Sequence, residues 1–125
     1  MSAKRILVID DEPDIVDFLT TLFEDHGFET RFADNGTAGL VRAREQVPDL
    51  ITLDITMPGR SGVSVFRELR RDPRLRAVPI IMITGVVELR QAMYRQSLAP
   101  PEAFLEKPVD PEGLIRQVRS ILNLP

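Results

Sequence analysis

The chain has 125 residues, 43% of them hydrophobic and 28% charged, with a net charge of −3, one histidine and no cysteine. That length suits one domain, residues 1–125, with enough chain to bury a core. Without cysteine there is no disulfide, thiol nucleophile or Cys-ligated zinc. The lone His26 excludes a multi-histidine metal site, and the acidic balance argues against direct nucleic-acid binding. No apolar run reaches the length of a membrane span and no signal peptide precedes Ile6, so no membrane partner is expected and a cytoplasmic location is the default.

Arg5 to Ile9 reads as a short buried strand that ends in three acids, Asp10, Asp11 and Glu12, followed by Pro13. Proline and acids suit the first turn of a helix. That helix carries Ile15, Phe18, Leu19, Leu22 and Phe23 on one apolar stripe, with Phe18 and Phe23 expected in the core, and stops at Gly27. His26, just before Gly27, is a helix-end residue interacting with the dipole. Phe28 to Ala33 alternates apolar and charged residues, as in a strand nearer the sheet edge. Asp34-Asn35-Gly36 opens a weakly patterned helix over Thr37 to Gln46, bearing Ala38, Leu40, Val41 and Ala43. Gly39 lowers its propensity unless helix and sheet approach closely there.

The organising stretch is Asp49 to Gly59. Leu50 to Leu53 is an apolar run that stops at a carboxylate, Asp54, and Met57-Pro58-Gly59 then turns the chain. A short apolar run bounded by turn signals suits a strand buried on both faces of a parallel sheet. Asp54 then sits at the strand's carboxyl end, the edge where open α/β sheets bind ligands. A third helix follows with Val65, Phe66 and Leu69 inward, and the run Arg67, Arg70, Arg71, Arg74 and Arg76 reads as a solvated face. Val78 to Ile83 is a strand ending in Thr84-Gly85. A fourth helix, about Glu88 to Leu98, has a thin inward pattern of Leu89, Ala92 and Met93, with Arg90, Gln91, Arg95 and Gln96 toward water. Pro100 and Pro101 end it at or before Leu98. With so little to bury, it is expected to be short, mobile or displaced. Ala103 to Leu105 is the last strand, ending in Glu106-Lys107-Pro108. Asp110 then caps a fifth helix with Leu114, Val118, Ile121 and Leu122 inward.

Five strands alternating with five helices make an α/β protein, a doubly wound five-stranded parallel sheet with helices on both faces. Asp10, Asp11, Asp54, Thr84 and Lys107 lie at the carboxyl ends of four strands. They converge if the strand order is 2-1-3-4-5. Clustered carboxylates need a cation, and a few oxygen ligands suit Mg²⁺. A lysine and a threonine hydroxyl suit phosphoryl oxygens, and a carboxylate can be the nucleophile that becomes an acyl phosphate. Asp54 is the candidate. Taken singly, Asp10 and Asp11 also read as helix-capping acids, Lys107 as a surface lysine and Thr84 as a strand-end hydroxyl.

Ile6 to Pro13, Pro48 to Gly59, Ile83-Thr84-Gly85 and Glu106-Lys107-Pro108 together resemble the receiver domain of two-component response regulators, in family order and spacing across essentially the whole chain. The resemblance implies a flavodoxin-like fold and a phosphorylation-switched signalling module rather than an enzyme. Asp54 would accept a phosphoryl group from a histidine kinase or histidine phosphotransfer protein. Asp11 and Asp54 side chains and the Thr56 backbone carbonyl would ligate Mg²⁺, with Asp10 acting largely through water. Thr84 and Lys107 would hold phosphoryl oxygens, with Thr84 and Phe104 forming the switch, and the Lys107-Pro108 bond is often cis. Three departures stand out. Phe104 replaces the frequent tyrosine, so a switch there works by packing. Thr56 and Val86 occupy positions that influence acyl-phosphate lifetime. Ala99-Pro100-Pro101-Glu102 replaces a small turn. A haloacid-dehalogenase-type phosphatase would carry an acid where Thr56 stands, a pseudo-receiver usually lacks an acid or the lysine, and a flavin-binding protein would not place Asp10-Asp11-Glu12 at its phosphate loop.

Overall fold

Short runs of branched apolar residues become strands here because helices cover the sheet on both faces. The structure, a computed structural model, describes residues 3–85 and 99–125. Its elements are β1 (Arg5–Ile9), α1 (Pro13–Asp25), β2 (Glu29–Ala33), α2 (Gly36–Glu45), β3 (Leu50–Asp54), α3 (Gly62–Arg71), β4 (Ile80–Thr84), β5 (Ala103–Glu106) and α4 (Pro111–Ile121). All strand pairs are parallel and the order is β2-β1-β3-β4-β5, as the convergence of the strand-end residues requires. The helix expected over Glu88 to Leu98, with its inward Leu89, Ala92 and Met93, lies outside the described residues.

Alternate residues of the strands feed two cores. Leu7, Ile9, Ile51, Leu53 and Met82 pack with Leu40 of α2 and with Phe66 and Leu69 of α3. Ile6, Val8, Leu50, Ile81 and Ile83 pack with Leu19 and Phe23 of α1 and with Leu114 and Val118 of α4. β3 and β4 are buried throughout.

The helix termini follow their sequence signals. Gly27 takes φ +87° after α1, and its N–H and that of Phe28 return to the carbonyls of Glu24 and Phe23, closing the last turn. His26 is the C-cap residue, its Nδ1 2.9 Å from the Leu22 carbonyl. Asn35, Ser61 and Asp110 each accept a backbone N–H at the start of α2, α3 and α4. Gly39 does allow close approach: a Cβ there would fall 2.6 Å from Ile9 Cδ1.

Two expectations about burial are corrected. Phe18 is 39% exposed, not core, because the α1 stripe centres on Val16, Leu19 and Phe23 and leaves Phe18 on its outer flank. Arg70 is not part of a solvated face: its side chain is 3% exposed. Its guanidinium donates to the carbonyls of Arg76, Val78, Ala99 and Pro100 and to Glu102 Oε1 at 2.8 Å, and lies 5.1 Å from the Phe66 ring centre. Glu102 Oε1 also accepts the Ile80 N–H. This clamp satisfies carbonyls that the loop before β4 and the prolines before β5 cannot pair for themselves.

Removing the guanidinium leaves the buried Val78 carbonyl, and the partly buried carbonyls of Arg76, Ala99 and Pro100, without this donor. Arg70→Met is therefore expected to lower unfolding free energy by about 2–4 kcal/mol. Urea denaturation measures it, and a loss within error of zero would show that the clamp does not stabilise the fold.

Candidate functional site

Strand order reverses between β1 and β3, and the loops leaving these strands diverge to opposite sides, opening a crevice at their carboxyl ends. Asp10 follows β1, its N–H bonded to the Ala33 carbonyl, and is 2% exposed. Its Oδ1 accepts the Glu12 N–H at 2.9 Å, which turns the chain into α1. Asp10 thus fixes the turn ahead of α1 and does not cap it, since the N-cap residue Glu12 leaves the helix without a side-chain cap, and the same carboxylate faces Lys107 Nζ at 3.1 Å. Asp11 is half-buried beside it and Glu12 exposed.

Asp54 closes β3 and is 1% exposed. Its Oδ1 accepts the Thr56 N–H at 3.3 Å. Its Oδ2 has no hydrogen-bond partner among the described residues, and the Lys107 ammonium stands 3.7 Å away. Gly62 lets α3 begin directly against this strand end: a Cβ there would lie 2.1 Å from the Asp54 carbonyl oxygen, and the Gly62 N–H donates to Ile55 at 2.8 Å. Gly59, at φ +77°, makes the turn between them.

Thr84 ends β4, fully buried, and its carbonyl accepts the Lys107 N–H at 2.9 Å, which carries the lysine from the end of β5 toward the acids. The Lys107-Pro108 bond is cis. Phe104, opposite Met82 in the β4–β5 ladder, is half-buried against the α2–α3 core and is not part of the acid group. Glu12, counted only as one acid of the strand-end run, is a close partner of the lysine, at 2.8 Å from Nζ. No local signal marks that pairing, which joins residues 95 positions apart.

Asp10, Asp11, Glu12 and Asp54 each offer an oxygen within 4.8 Å of the others. Four acids facing one lysine leave excess negative charge. Burial, then the neighbouring Asp10 charge, pushes Asp54 up to about 7 despite Lys107 and the Thr56 N–H. Burial likewise raises Asp10. Burial opposes the Lys107 charge, but Glu12, Asp10 and Asp54 outweigh it and hold its pKa above the ordinary lysine value. A buried, half-satisfied carboxylate among acids fits a small divalent cation with oxygen ligands.

The sign of the Asp54 shift sets a pH dependence. Between 3.8 and about 7 the folded protein keeps a proton that the unfolded chain has released, so this group's contribution to stability falls as pH rises through that window. Without divalent cation, Asp54→Asn is expected to be more stable than wild type by about 1–3 kcal/mol near pH 8, with the gap closing as pH falls to about 4. Chemical denaturation at several pH values measures the gap, and equal stability near pH 8 would contradict a desolvated carboxylate.

The sequence profile of the response regulator receiver domain matches residues 6–119. The chain is 34% identical over 118 residues to the protein PilH of Pseudomonas aeruginosa, covering 94% of this chain and 97% of PilH. It is 34% identical over 120 residues to the DNA-binding response regulator MtrA of Mycolicibacterium smegmatis, spanning 96% of this chain but about half, 51%, of MtrA. The crystal structure of a sensor protein from a Polaromonas species superposes with a TM-score of 0.90 at 30% identity, covering 98% of each chain. The sheet order, the strand-end acids and these likenesses agree: the chain belongs to the response regulator receiver domain family, the signalling module of two-component systems.

Proposed function

We propose that residues 1–125 act as a phosphoacceptor unit in which Asp54 takes a phosphoryl group from a phosphohistidine. The observation that carries this reading is the buried Asp54 Oδ2, without a hydrogen-bond partner among the described residues and 3.7 Å from Lys107 Nζ. In the transfer, a lone pair of Asp54 Oδ2 forms a bond to phosphorus while the phosphorus–nitrogen bond to the histidine breaks. The imidazole leaves with the electron pair and takes up a proton, and an acyl phosphate remains on Asp54. Attack of water on the same phosphorus later breaks its bond to the Asp54 oxygen, releasing inorganic phosphate and returning the carboxylate. The chain thus acts on its own phosphorylation state and is not an enzyme for an external substrate.

Lys107, now shared by Glu12, Asp10 and Asp54, exchanges carboxylate contacts for a phosphoryl oxygen, and the Thr84 hydroxyl donates to another. Asp11, Asp54 and the Thr56 carbonyl would hold Mg²⁺, with Asp10 acting through water. The acid cluster and the orphaned carboxylate oxygen fit such an ion. Bound there, Mg²⁺ supplies positive charge that offsets the acids and the phosphoryl oxygens. Thr84 and Lys107 join β4 and β5 through a backbone hydrogen bond, so a change at either reaches Phe104, whose ring has no hydroxyl and responds by packing alone. The phosphoryl donor is a histidine kinase or a histidine phosphotransfer protein. No direct nucleic-acid contact is assigned to this unit, and among the described residues no helix is long and apolar enough to cross a membrane.

Incubation with acetyl phosphate and Mg²⁺ is expected to add one phosphoryl group to the intact mass, and EDTA or Asp54→Ala to abolish the gain. Lys107→Ala is expected to keep part of the gain but to show a smaller change in its NMR spectrum on adding beryllofluoride. An Asp54→Ala protein phosphorylated at the wild-type rate would refute the assignment, and a full beryllofluoride response in the lysine variant would remove Lys107 from the coupling.

A further inference from the structure

The sheet ends at β2, whose outer edge carries an unusual arrangement. In a parallel ladder, successive residues turn their backbone groups alternately to one side and the other. The Glu29 N–H donates to Lys4 and the Ala33 carbonyl accepts from Asp10, so Glu29, Arg31 and Ala33 face β1 while Thr30 and Phe32 face outward. Among the described residues no backbone group meets the outward N–H and C=O of Thr30 and Phe32. The side chains alternate as well. Phe28 packs in the α1-side core and Thr30 bonds Glu24 of α1, whereas Arg31 reaches Glu45 and Gln46 at the end of α2. Phe32, a large apolar side chain on the edge strand, is 54% exposed.

We propose that β2 pairs antiparallel with β2 of a second copy of this chain, on a two-fold axis through Thr30, making one continuous ten-stranded sheet. Charge complementarity selects both the occupant and the register. Centred on Thr30, the pairing sets Glu29 of each copy opposite Arg31 of the other, on the α2 face, and Phe28 opposite Phe32 on the α1 face. Thr30 meets Thr30 at a hydrogen-bonded position, as its outward backbone groups demand, and the Phe32 N–H finds the Phe28 carbonyl of the other copy. Only one bond forms at each end, because the Phe28 N–H is already given to Phe23. Of the other registers compatible with the outward groups, those centred on Glu29 or Arg31 oppose two like charges, and the one centred on Phe32 sets Arg31 opposite Ala33 and leaves both charges without a cross-strand partner. Edge charges usually prevent pairing; here the two-fold operation makes them attract.

Two features make the edge available. Glu29 is paired with Arg5 at 3.3 Å and Arg31 with Glu45 at 3.5 Å, both through exposed side chains whose pairing contributes little and exchanges readily. An open hollow of about 440 Å³ beside the strand, lined by Arg5, Glu24, Thr30, Arg31 and Gln46 among others, leaves room for side chains of a second strand. The contact is small, so the dimer is weak and concentration-dependent.

Sedimentation velocity of the unphosphorylated, metal-free chain from about 10 μM to about 1 mM tests the pairing over the affinities a small interface reaches. Wild type is expected to show a monomer–dimer equilibrium. Glu29→Arg alone or Arg31→Glu alone is expected to weaken it about tenfold or more, and the double exchange to restore it to within about threefold. Circular dichroism melting confirms that each variant is folded. A monomer at every concentration, a dimer indifferent to the single reversals, or a double variant no better than the singles would each overturn the proposal.

Discussion

Everything at the carboxyl edge of this sheet depends on one carboxylate being buried without enough partners. Asp54 is 1% exposed, holds one backbone N–H on Oδ1 and leaves Oδ2 without a hydrogen bond among the described residues. Burial takes such a group out of bulk water, which is costly for a charged carboxylate. Lys107 answers the charge only in part, since Asp10 and Glu12 stand closer to its ammonium than Asp54 does. That unmet demand is the feature on which the proposed cation binding and phosphoryl acceptance at Oδ2 rest.

The fold supplies that situation by geometry rather than by a dedicated loop. β1 and β3 are neighbours, so Asp10 and Asp54 leave the sheet side by side, and β4 and β5 bring Thr84 and Lys107 to the same edge. Gly62 allows the first turn of α3 to press on the Asp54 carbonyl, so the strand end cannot move independently of that helix. On the far side, the Arg70 clamp ties α3 to the loop before β4 and the prolines before β5. β3, α3, β4 and β5 are therefore joined by direct contacts from the acid site to the beginning of the last strand.

Much of this was legible in the residues. Apolar runs ending in Asp10, Asp54, Thr84 and Lys107 marked four strand ends, and their convergence required the observed strand order. Caps such as Asp110 and the stop at Gly27 were local signals that the structure repeats. What was not legible depended on which side of a helix the core lies. Phe18 fits the apolar spacing of α1 yet falls on the flank of the stripe, and Arg70, read as one of a basic run, falls within the stripe of Val65, Phe66 and Leu69. Its spacing of four from Phe66 was the available signal, because a charged residue on an apolar stripe must find buried partners. The close pairing of Glu12 with Lys107 joins residues 95 positions apart and left no local trace.

The burial of Asp54 among acids is read at its carboxyl carbon, followed by ¹³C NMR as pH is varied. Burial and Asp10 should place its titration near 7 in the metal-free protein, and adding Mg²⁺ should lower it by about one unit or more. A carboxyl group that titrates near the ordinary 3.8 and ignores Mg²⁺ would contradict both.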